Sequence, residues 1–411
     1  MKRFAFISYH TCPLSAEEGK EVGGMNVYVL ELAKALGEKG IYVDIFTRDQ
    51  GEKGEKTVVF TEQVRVIHIP AGPEKSIDKK ELTPFTHEFS NNVLGFIQAH
   101  EIHYDALHAH YYLSGIVGLV LKDALHIPLV TTFHTLALMK NLVARSKRER
   151  EDDARISAEH ALLQQSDMVI SPSETDKAYM QYLYGGDSKK ILVVNPGVNT
   201  KVFFEQSIDE ARKHIGADLS HKLLLFVGRI EPLKGIDVLM YSMKILAERN
   251  PSLNMCLWIV GGDISLPLEN RSEEMKKLHH LQQQLGLTNI VRFVGRKAPS
   301  ELPYYYNAAD LVVAPSQYES FGITALEAMA CGTPVITTDV TGVSDLLDTA
   351  HESLITSANN PLLLAEQIET LLTDAAAYQK ASEDVHEQVQ DLDWSHVADK
   401  IYEVYEQITN K

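Results

Sequence analysis

Two cations five residues apart, Arg229 and Lys234, flank a proline-containing turn in the segment Val227-Gly228-Arg229-Ile230-Glu231-Pro232-Leu233-Lys234-Gly235. A strand pattern ends at Gly228 and a helical pattern opens after the turn. Arginine offers planar, bidentate donors and lysine a point charge, a combination that suits a diphosphate. Taken alone, the pair also reads as two solvated cations in a loop. A second cluster, Ser316-Gln317-Tyr318-Glu319-Ser320-Phe321-Gly322, follows another strand pattern, and Glu327 lies eight residues beyond Glu319. Glu319 falls in the loop and Glu327 two turns into the helix that begins near Gly322. Carboxylates so placed can accept hydrogen bonds from sugar or ribose hydroxyls, while the amides of Gly322 and Ile323 face a phosphate. The plain alternative is an acid at a helix N-terminus and an exposed Glu327.

Gly23-Gly24 stands between a strand pattern and a helical one, where backbone amides and a helix N-terminus can meet an anion. A simple strand-to-helix turn explains the pair as readily. Neither G-x-G-x-x-G nor a Walker A sequence is present, so dinucleotide and P-loop readings lose their main support. His108-Ala109-His110, His134 and His160 raise a metal reading, because residues two apart on a strand share a face. No carboxylate or cysteine spacing completes such a site, and Asp391-Leu392-Asp393 precedes the last helix instead of following an apolar strand. The expectation is that no metal is bound. His134 ends a strand pattern, which suits a structural role and a site role alike. The run Lys147–Arg155, dense in both signs, reads as a solvated helix face with i,i+4 pairs and puts Arg155 on the surface. Lys79 and Lys80, in the polar loop Ser76–Glu81, read as surface cations too.

The elements that must position these residues alternate along the whole chain. Strand patterns occupy Arg3–Tyr9, Ile41–Thr47, Val64–Pro70, Ala106–His110, Pro128–Phe133, Met168–Ser171 and Ile191–Asn195. Between them lie helical patterns such as Asn26–Glu38, Phe85–Ala99 and Arg148–Gln165. The rhythm restarts with strands at Leu223–Val227, Asn254–Val260, Ile290–Val294, Leu311–Ala314 and Pro334–Thr337. Near-continuous apolar strands alternating with helices indicate doubly wound parallel sheets. Two such series predict two Rossmann-like α/β domains, 1–198 and 199–393, with a final helix from Trp394 capped by Asp393. Ligands in such sheets bind beyond the carboxyl ends of the strands.

The 411 residues carry 39 Lys plus Arg against 56 Asp plus Glu, a net charge of −17. A balance this acidic argues against nucleic acid as partner. The excess is local, however: residues 298–411 hold 3 cations against 19 acids, leaving 1–297 nearly neutral. Every candidate phosphate-binding cation lies in the nearly neutral part. Cys12, Cys256 and Cys331 are odd in number and far apart, which fits a reducing cytosol. The opening Met1-Lys2-Arg3 and its short apolar run end at Ser8 and His10 without a cleavage signal, and no stretch approaches a membrane span. The expectation is a cytoplasmic enzyme or binding protein.

In order along the chain, Gly23-Gly24-Met25-Asn26-Val27-Tyr28, His108-Ala109-His110-Tyr111, Phe133-His134-Thr135, Asn195-Pro196-Gly197-Val198, Val227-Gly228-Arg229 with Lys234-Gly235, and Glu319-Ser320-Phe321-Gly322 with Glu327-Ala328 stand out. Together they resemble glycosyltransferase family 4, retaining enzymes of GT-B fold. The group includes sucrose-phosphate synthases and the inositol-phosphate N-acetylglucosaminyltransferase of mycothiol biosynthesis. The resemblance spans essentially the whole chain. It implies two Rossmann-like domains facing a central cleft, with a C-terminal helix, 394–411, free to return to the N-terminal domain.

The resemblance also implies roles. Arg229 and Lys234 would hold the donor diphosphate, aided by the amides of Gly322 and Ile323, with Phe321 in the same donor loop and Gly23 and Gly24 approaching it. Glu327 would take the ribose hydroxyls of a uridine nucleotide and Glu319 the hydroxyls of the transferred sugar. His134 would hydrogen-bond that sugar near the reacting centre. Lys79, Tyr111, Thr135 and Arg155 would meet the phosphate of an acceptor, and Asn26 one of its hydroxyls. The implied reaction moves a hexosyl unit from UDP-glucose or UDP-N-acetylglucosamine to a phosphorylated polyol or sugar, with retention and without a metal or other cofactor. A homodimer is left open. Lys79–Glu88 leans toward the sucrose-phosphate synthases, while Asn26, Tyr111 and His134-Thr135-Leu136 lean toward the inositol-phosphate enzyme. Thr341-Gly342-Val343 departs from the Gly-Gly usual in both. Two rivals from other classes are a non-hydrolysing nucleotide-sugar epimerase and a non-catalytic two-domain sugar-binding protein.

Overall fold

Apolar runs too short for helices become strands buried on both faces, and each hands its last residues to a loop at one edge of a sheet. A computed structural model describes residues 2–14, 23–51, 55–340, 342–347, 354–389 and 391–410. Met1 and Thr341, both singled out above, lie outside the described residues. The chain divides into two compact units, one formed by Met1–Pro196 with Trp394–Lys411 and the other by Gly197–Asp393.

The first unit contains β1 (Arg3–Ile7), β2 (Tyr42–Arg48), β3 (Thr57–Val59), β4 (Val64–Ile69), β5 (Ala106–His110), β6 (Leu129–Thr132), β7 (Met168–Ser171) and β8 (Ile191–Val193). They form one sheet in the order β3-β4-β2-β1-β5-β6-β7-β8. Pairing is parallel except for β3, which runs antiparallel to β4. Sequence periodicity misses β3, because three half-exposed residues on a sheet edge carry no alternation that a reader can use. Every residue of β5, β6 and β7 is buried, as expected where helices cover both faces.

The helix Trp394–Thr409 belongs to this unit and buries Trp394, Val397, Ala398, Ile401, Val404, Tyr405 and Ile408 along one stripe. That 3.6-residue spacing gives it a single apolar face, which packs on the helix Gly24–Glu38. Tyr405 packs against Phe4 at 4.2 Å between ring centres, the rings tilted by 36°, and its hydroxyl meets His108 Nδ1 at 2.6 Å.

The second unit holds β9 (Lys222–Val227), β10 (Met255–Val260), β11 (Val291–Gly295), β12 (Leu311–Ala314), β13 (Val335–Thr338) and β14 (Ile355–Thr356). Their order is β11-β10-β9-β12-β13-β14, all parallel. Strand β14, two residues long, also escapes a reading by periodicity. At its other end, Val198 pairs with Asp393, and Thr200 donates to the Asp393 carboxylate at 2.7 Å.

One helix starts later than its pattern suggests. The run expected from Arg148 becomes helical only at Asp153, where the Asp152 side chain accepts from the Arg155 amide. An aspartate in that position satisfies an otherwise orphaned donor and fixes the first turn. Residues 144–152 instead form an irregular loop.

Candidate functional site

In the second unit the chain leaves β9 and β12, neighbours in the sheet whose next strands lie on opposite sides, at the point where the strand order reverses. Loops at such a point diverge and leave room for a ligand. The β9 loop makes a 3₁₀ turn, Pro232–Lys234, that ends on Gly235 in the left-handed region, φ 65°. A Cβ there would lie 2.0 Å from the Pro315 carbonyl oxygen, so only glycine lets the two loops touch. The Gln317 amide then donates to the Leu233 carbonyl at 2.8 Å. Stitched in this way, Lys234 Nζ lies 2.8 Å from Glu319 Oε1, and Ser316 Oγ donates to Glu319 Oε2 at 3.1 Å. Burial works against the Glu319 charge, but Lys234, Ser316 and Arg229 together hold its carboxyl below the usual range. Arg229 pairs with Glu231 at 3.0 Å and is more than one-third exposed, at 38% of its side chain.

The helix Ile323–Ala330 starts at Gly322, φ 111°, and aims its N-terminal end back into this loop. The ring of Phe321, expected among the donor contacts, is packed in the hydrophobic core of the unit. Any part it takes in ligand binding falls to its backbone. Gly342, sited against the Ser320 carbonyl with no room for a Cβ, donates its amide to the Glu319 carbonyl at 3.2 Å, and Val343 donates to Phe321 at 2.9 Å. Sequence reasoning noticed this segment only as a departure from a pattern; it braces the Glu319 loop. Glu327 is not the exposed acid of the plain reading. It is buried, it accepts from the Tyr306 hydroxyl at 2.7 Å, and burial raises its pKa to about 7.

The first unit gathers its candidates at the ends of β1, β5 and β6, around its own reversal between β2-β1 and β5. Asn26 is buried, with Nδ2 donating to Thr11 Oγ1 and to the Cys12 carbonyl, both at 3.2 Å. Among the described residues its buried Oδ1 has no hydrogen-bond partner. Gly23, extended, precedes the helix that opens at Gly24.

The histidines form two hydrogen-bonded groups whose rings meet at His108 and His110, 4.2 Å between centres. His108 bonds Tyr405 and Thr132, at 2.6 and 2.8 Å, and His110 Nδ1 lies 3.1 Å from His134 Nε2. Burial drives all three toward the neutral form, His108 and His134 to about 3. Among the described residues His110 Nε2 is buried without a partner. An orphaned lone pair costs less than an orphaned N–H, so hydrogen bonding assigns the His110 proton to Nδ1, donating to His134. His134 then carries its proton on Nδ1, a neutral donor held by a backbone at φ 62°. Two of the histidines that suggested a metal are thus engaged with each other. Among the described residues no group of three or more His, Cys, Asp or Glu side chains is arranged to hold a metal ion.

Arg155 overturns the surface reading. Its side chain is 1% exposed. Glu159, one helical turn on, accepts from Nε at 2.8 Å, the Tyr111 hydroxyl accepts at 3.0 Å, and Thr135 accepts through its carbonyl and hydroxyl at 2.9 and 3.1 Å. A buried guanidinium is tolerable only when paired and hydrogen-bonded in this way. Glu151 pairs with Arg155 at 2.9 Å and with Lys140. Tyr111, at φ 79° before its helix, supplies its hydroxyl from a strained backbone. Lys79 sits half-buried in a 3₁₀ turn, Lys79–Glu81, and its charge acts on both Glu151 and Lys140. Lys80 is exposed and reaches the Arg148 carbonyl at 3.4 Å. Glu151 and Arg155 stand four apart within the run read as a solvated face; the spacing does not show that they turn inward, or that Glu159 joins them. Lys140 and Glu151, which complete this cluster, do not stand out in the sequence.

Two Rossmann-like units of this topology define a GT-B glycosyltransferase. A sequence model described as Glycosyltransferase Family 4 matches residues 22–202, and one described as Glycosyl transferases group 1 matches residues 207–388. The D-inositol 3-phosphate glycosyltransferase of Corynebacterium glutamicum is 34% identical over 406 residues, covering 98% of this chain and 96% of the relative. The protein of that name from Rhodococcus erythropolis is 35% identical over 405 residues, covering 98% and 91%. Among solved structures, the sucrose-phosphate synthase of Thermosynechococcus elongatus superposes with a TM-score of 0.90 at 29% identity over all of both chains. Anabaena HepE, solved with UDP and glucose, shares the fold with a TM-score of 0.77 at 20% identity, covering 99% of this chain and 100% of that one. The chain belongs to glycosyltransferase family 4. It is an enzyme of the transferase class, which sets aside the epimerase and the non-catalytic sugar-binding protein. No helix among the described residues is long and apolar enough to cross a membrane.

Proposed function

We propose that this enzyme transfers a hexosyl unit from a UDP-sugar, UDP-glucose or UDP-N-acetylglucosamine, to a phosphorylated polyol or sugar of the inositol phosphate or fructose 6-phosphate type. The observation that carries the acceptor reading is the buried Arg155 with Tyr111 and Thr135, beside Lys79 and Lys140: a cluster of cations in a family whose full-length relatives bear the name of an inositol phosphate. Asn26 Oδ1, which has no hydrogen-bond partner among the described residues, is assigned to an acceptor hydroxyl.

On the donor side, breaking the C1–O bond leaves positive charge on the sugar and negative charge on the departing diphosphate. Arg229, Lys234 and the amides at Gly322 and Ile323 stabilise that leaving group without requiring a metal. Glu319 and Glu327 are assigned to hydroxyls of sugar and ribose, and His134, with Gly23 and Gly24, to the donor. Transfer then proceeds with retention, a leaving-group oxygen accepting the acceptor's proton. No second carboxylate is assigned to a covalent double displacement. The test is UDP release measured with each UDP-sugar against inositol phosphates, fructose 6-phosphate and their unphosphorylated counterparts, in EDTA. Release that requires a phosphorylated acceptor is expected; equal release with unphosphorylated acceptors defeats the reading.

A further inference from the structure

The buried Arg155 side chain makes four hydrogen bonds and, through one terminal nitrogen, a further ion pair. Nε serves Glu159; one terminal nitrogen serves Tyr111 and Glu151; the other serves the carbonyl and hydroxyl of Thr135. An acceptor phosphate reaching this cluster therefore finds the buried guanidinium already paired with two carboxylates, Glu151 and Glu159. One present partner has to yield.

Glu159 is not that partner. It is fully buried, and its carboxylate also accepts from the Ala137 amide and the Tyr184 hydroxyl, at 2.9 and 2.5 Å. Thr135 and Tyr111 are neutral and lie at the ends of β6 and β5. Glu151 is different. One oxygen of its carboxylate, Oε1, takes both Arg155 at 2.9 Å and Lys140, and the Lys79 charge falls on the same group. Convergence of the buried Arg155 and the half-buried Lys140 on one oxygen is the arrangement an oxyanion of a phosphate would meet. Burial opposes the Glu151 charge, yet Arg155 and Lys140 outweigh it, so that the carboxyl stays ionised. Its backbone is clamped by Asn141, whose side chain accepts from the Glu151 amide at 2.7 Å and donates to the Glu151 carbonyl at 3.1 Å. Release of the carboxylate thus needs side-chain rotation alone, with the loop left in place.

We infer that the Glu151 carboxylate is a built-in substitute for the acceptor's phosphate, neutralising Lys140 and Arg155 in the free enzyme and swinging out when the phosphorylated acceptor arrives. The inference rests on the acceptor reading above and adds a selection device to it. A dianionic phosphate can replace a monoanionic carboxylate at these cations, whereas an unphosphorylated polyol cannot and leaves Glu151 in place. Specificity then comes from an internal competitor as well as from attraction.

The test compares wild type with Glu151→Gln, which keeps shape and removes charge. Titration calorimetry with inorganic phosphate, inositol monophosphate and unphosphorylated inositol, at saturating UDP, gives the affinities, and initial rates give the acceptor KM. Expected in Glu151→Gln is phosphate and inositol monophosphate binding tighter by about fivefold or more, the scale of removing one competing charge-assisted hydrogen bond, with a parallel fall in KM and no gain for inositol. Equal or weaker binding of both phosphorylated probes, in a wild type that binds and transfers normally, overturns the inference and makes Glu151 an orienting residue. Glu151→Asp, which keeps the charge but shortens the reach, gives a second measure if the glutamine variant fails to fold. A gain of the same sign is expected, and a loss overturns the inference. Failure of wild type and variants alike to bind phosphate or inositol monophosphate, with no transfer, sinks the acceptor reading itself.

Discussion

Lys234 Nζ and Glu319 Oε1 lie 2.8 Å apart although 85 residues separate them in the chain. The cation assigned to the leaving diphosphate and the carboxylate assigned to the transferred sugar hold each other in place before any ligand is present. Such mutual positioning is what an electrostatic catalyst needs, since its dipoles must be fixed ahead of the charge they stabilise.

Replacing either cation removes that stabilisation. Arg229→Ala and Lys234→Ala are each expected to lose about 2 kcal/mol or more of transition-state stabilisation, roughly 30-fold in kcat, on the scale of losing one preorganised donor. Lys234→Ala also frees Glu319 from its main counter-charge, so the Glu319 carboxyl moves back toward its ordinary range. Steady-state rates at saturating donor check the first point. Near-normal kcat in both variants would place the diphosphate elsewhere.

Gly235 tests the stitching of the two loops. Any side chain there meets the Pro315 carbonyl at 2.0 Å, on a backbone at φ 65° that L-residues resist. Gly235→Ala is expected to cost more than about 1 kcal/mol through the conformation alone, with the steric clash added. Calorimetric melting together with UDP affinity should show both falling. A variant that melts and binds like wild type contradicts the stitched geometry.

Glu327 predicts an acid limb for donor binding. Its pKa is raised from 4.5 to about 7 by burial, so it is protonated below that point and accepts ribose hydrogen bonds less well. UDP affinity should therefore rise as pH increases to about 7 and level off above, and Glu327→Gln should flatten this dependence while weakening binding at pH 8. Stability runs the other way. With the folded pKa above the unfolded one, the native state binds the extra proton, and stability is lost as pH rises from about 4.5 through 7. Glu327→Gln, which keeps an acceptor for Tyr306, should melt higher than wild type at pH 8 and not at pH 4.5. An unchanged melting difference across that range would refute the buried, shifted carboxyl.

Removing the buried guanidinium strands its acids. Arg155→Ala leaves Glu159 fully buried without its cation, and breaking a buried pair from one side costs about 3–5 kcal/mol. Urea titration should report a loss of that size. A loss below about 1 kcal/mol, the scale of surface pairs, would restore the surface reading of Arg155.

Much of this fold can be read from the chain because its parallel strands are continuous apolar runs. Leu311–Ala314 and Met168–Ser171 are strands over the very residues the pattern suggests. β3 and β14 could not be read, since two or three residues hold no periodicity and owe their pairing to a neighbouring strand. In the site, Arg229, Lys234 and Glu319 show themselves through local spacing beside glycine and proline. Arg155 does not. Its spacing to Glu151 and Glu159 is the same on a solvated helix as on a buried one, and the inward choice is made by Tyr111 and Thr135, 44 and 20 residues away. Glu327 is disguised in the same way, because the partner that buries it, Tyr306, comes from a different helix.

The central claim is transfer of a hexosyl unit to a phosphorylated acceptor. Mass and proton NMR analysis of the product, after incubation with UDP-glucose or UDP-N-acetylglucosamine and inositol phosphate or fructose 6-phosphate, tests it most directly. The account predicts one hexosyl unit added to a phosphorylated acceptor, with the donor's α-configuration kept at the anomeric carbon. A β-linked product, or a product formed as readily from unphosphorylated inositol or fructose, would contradict it.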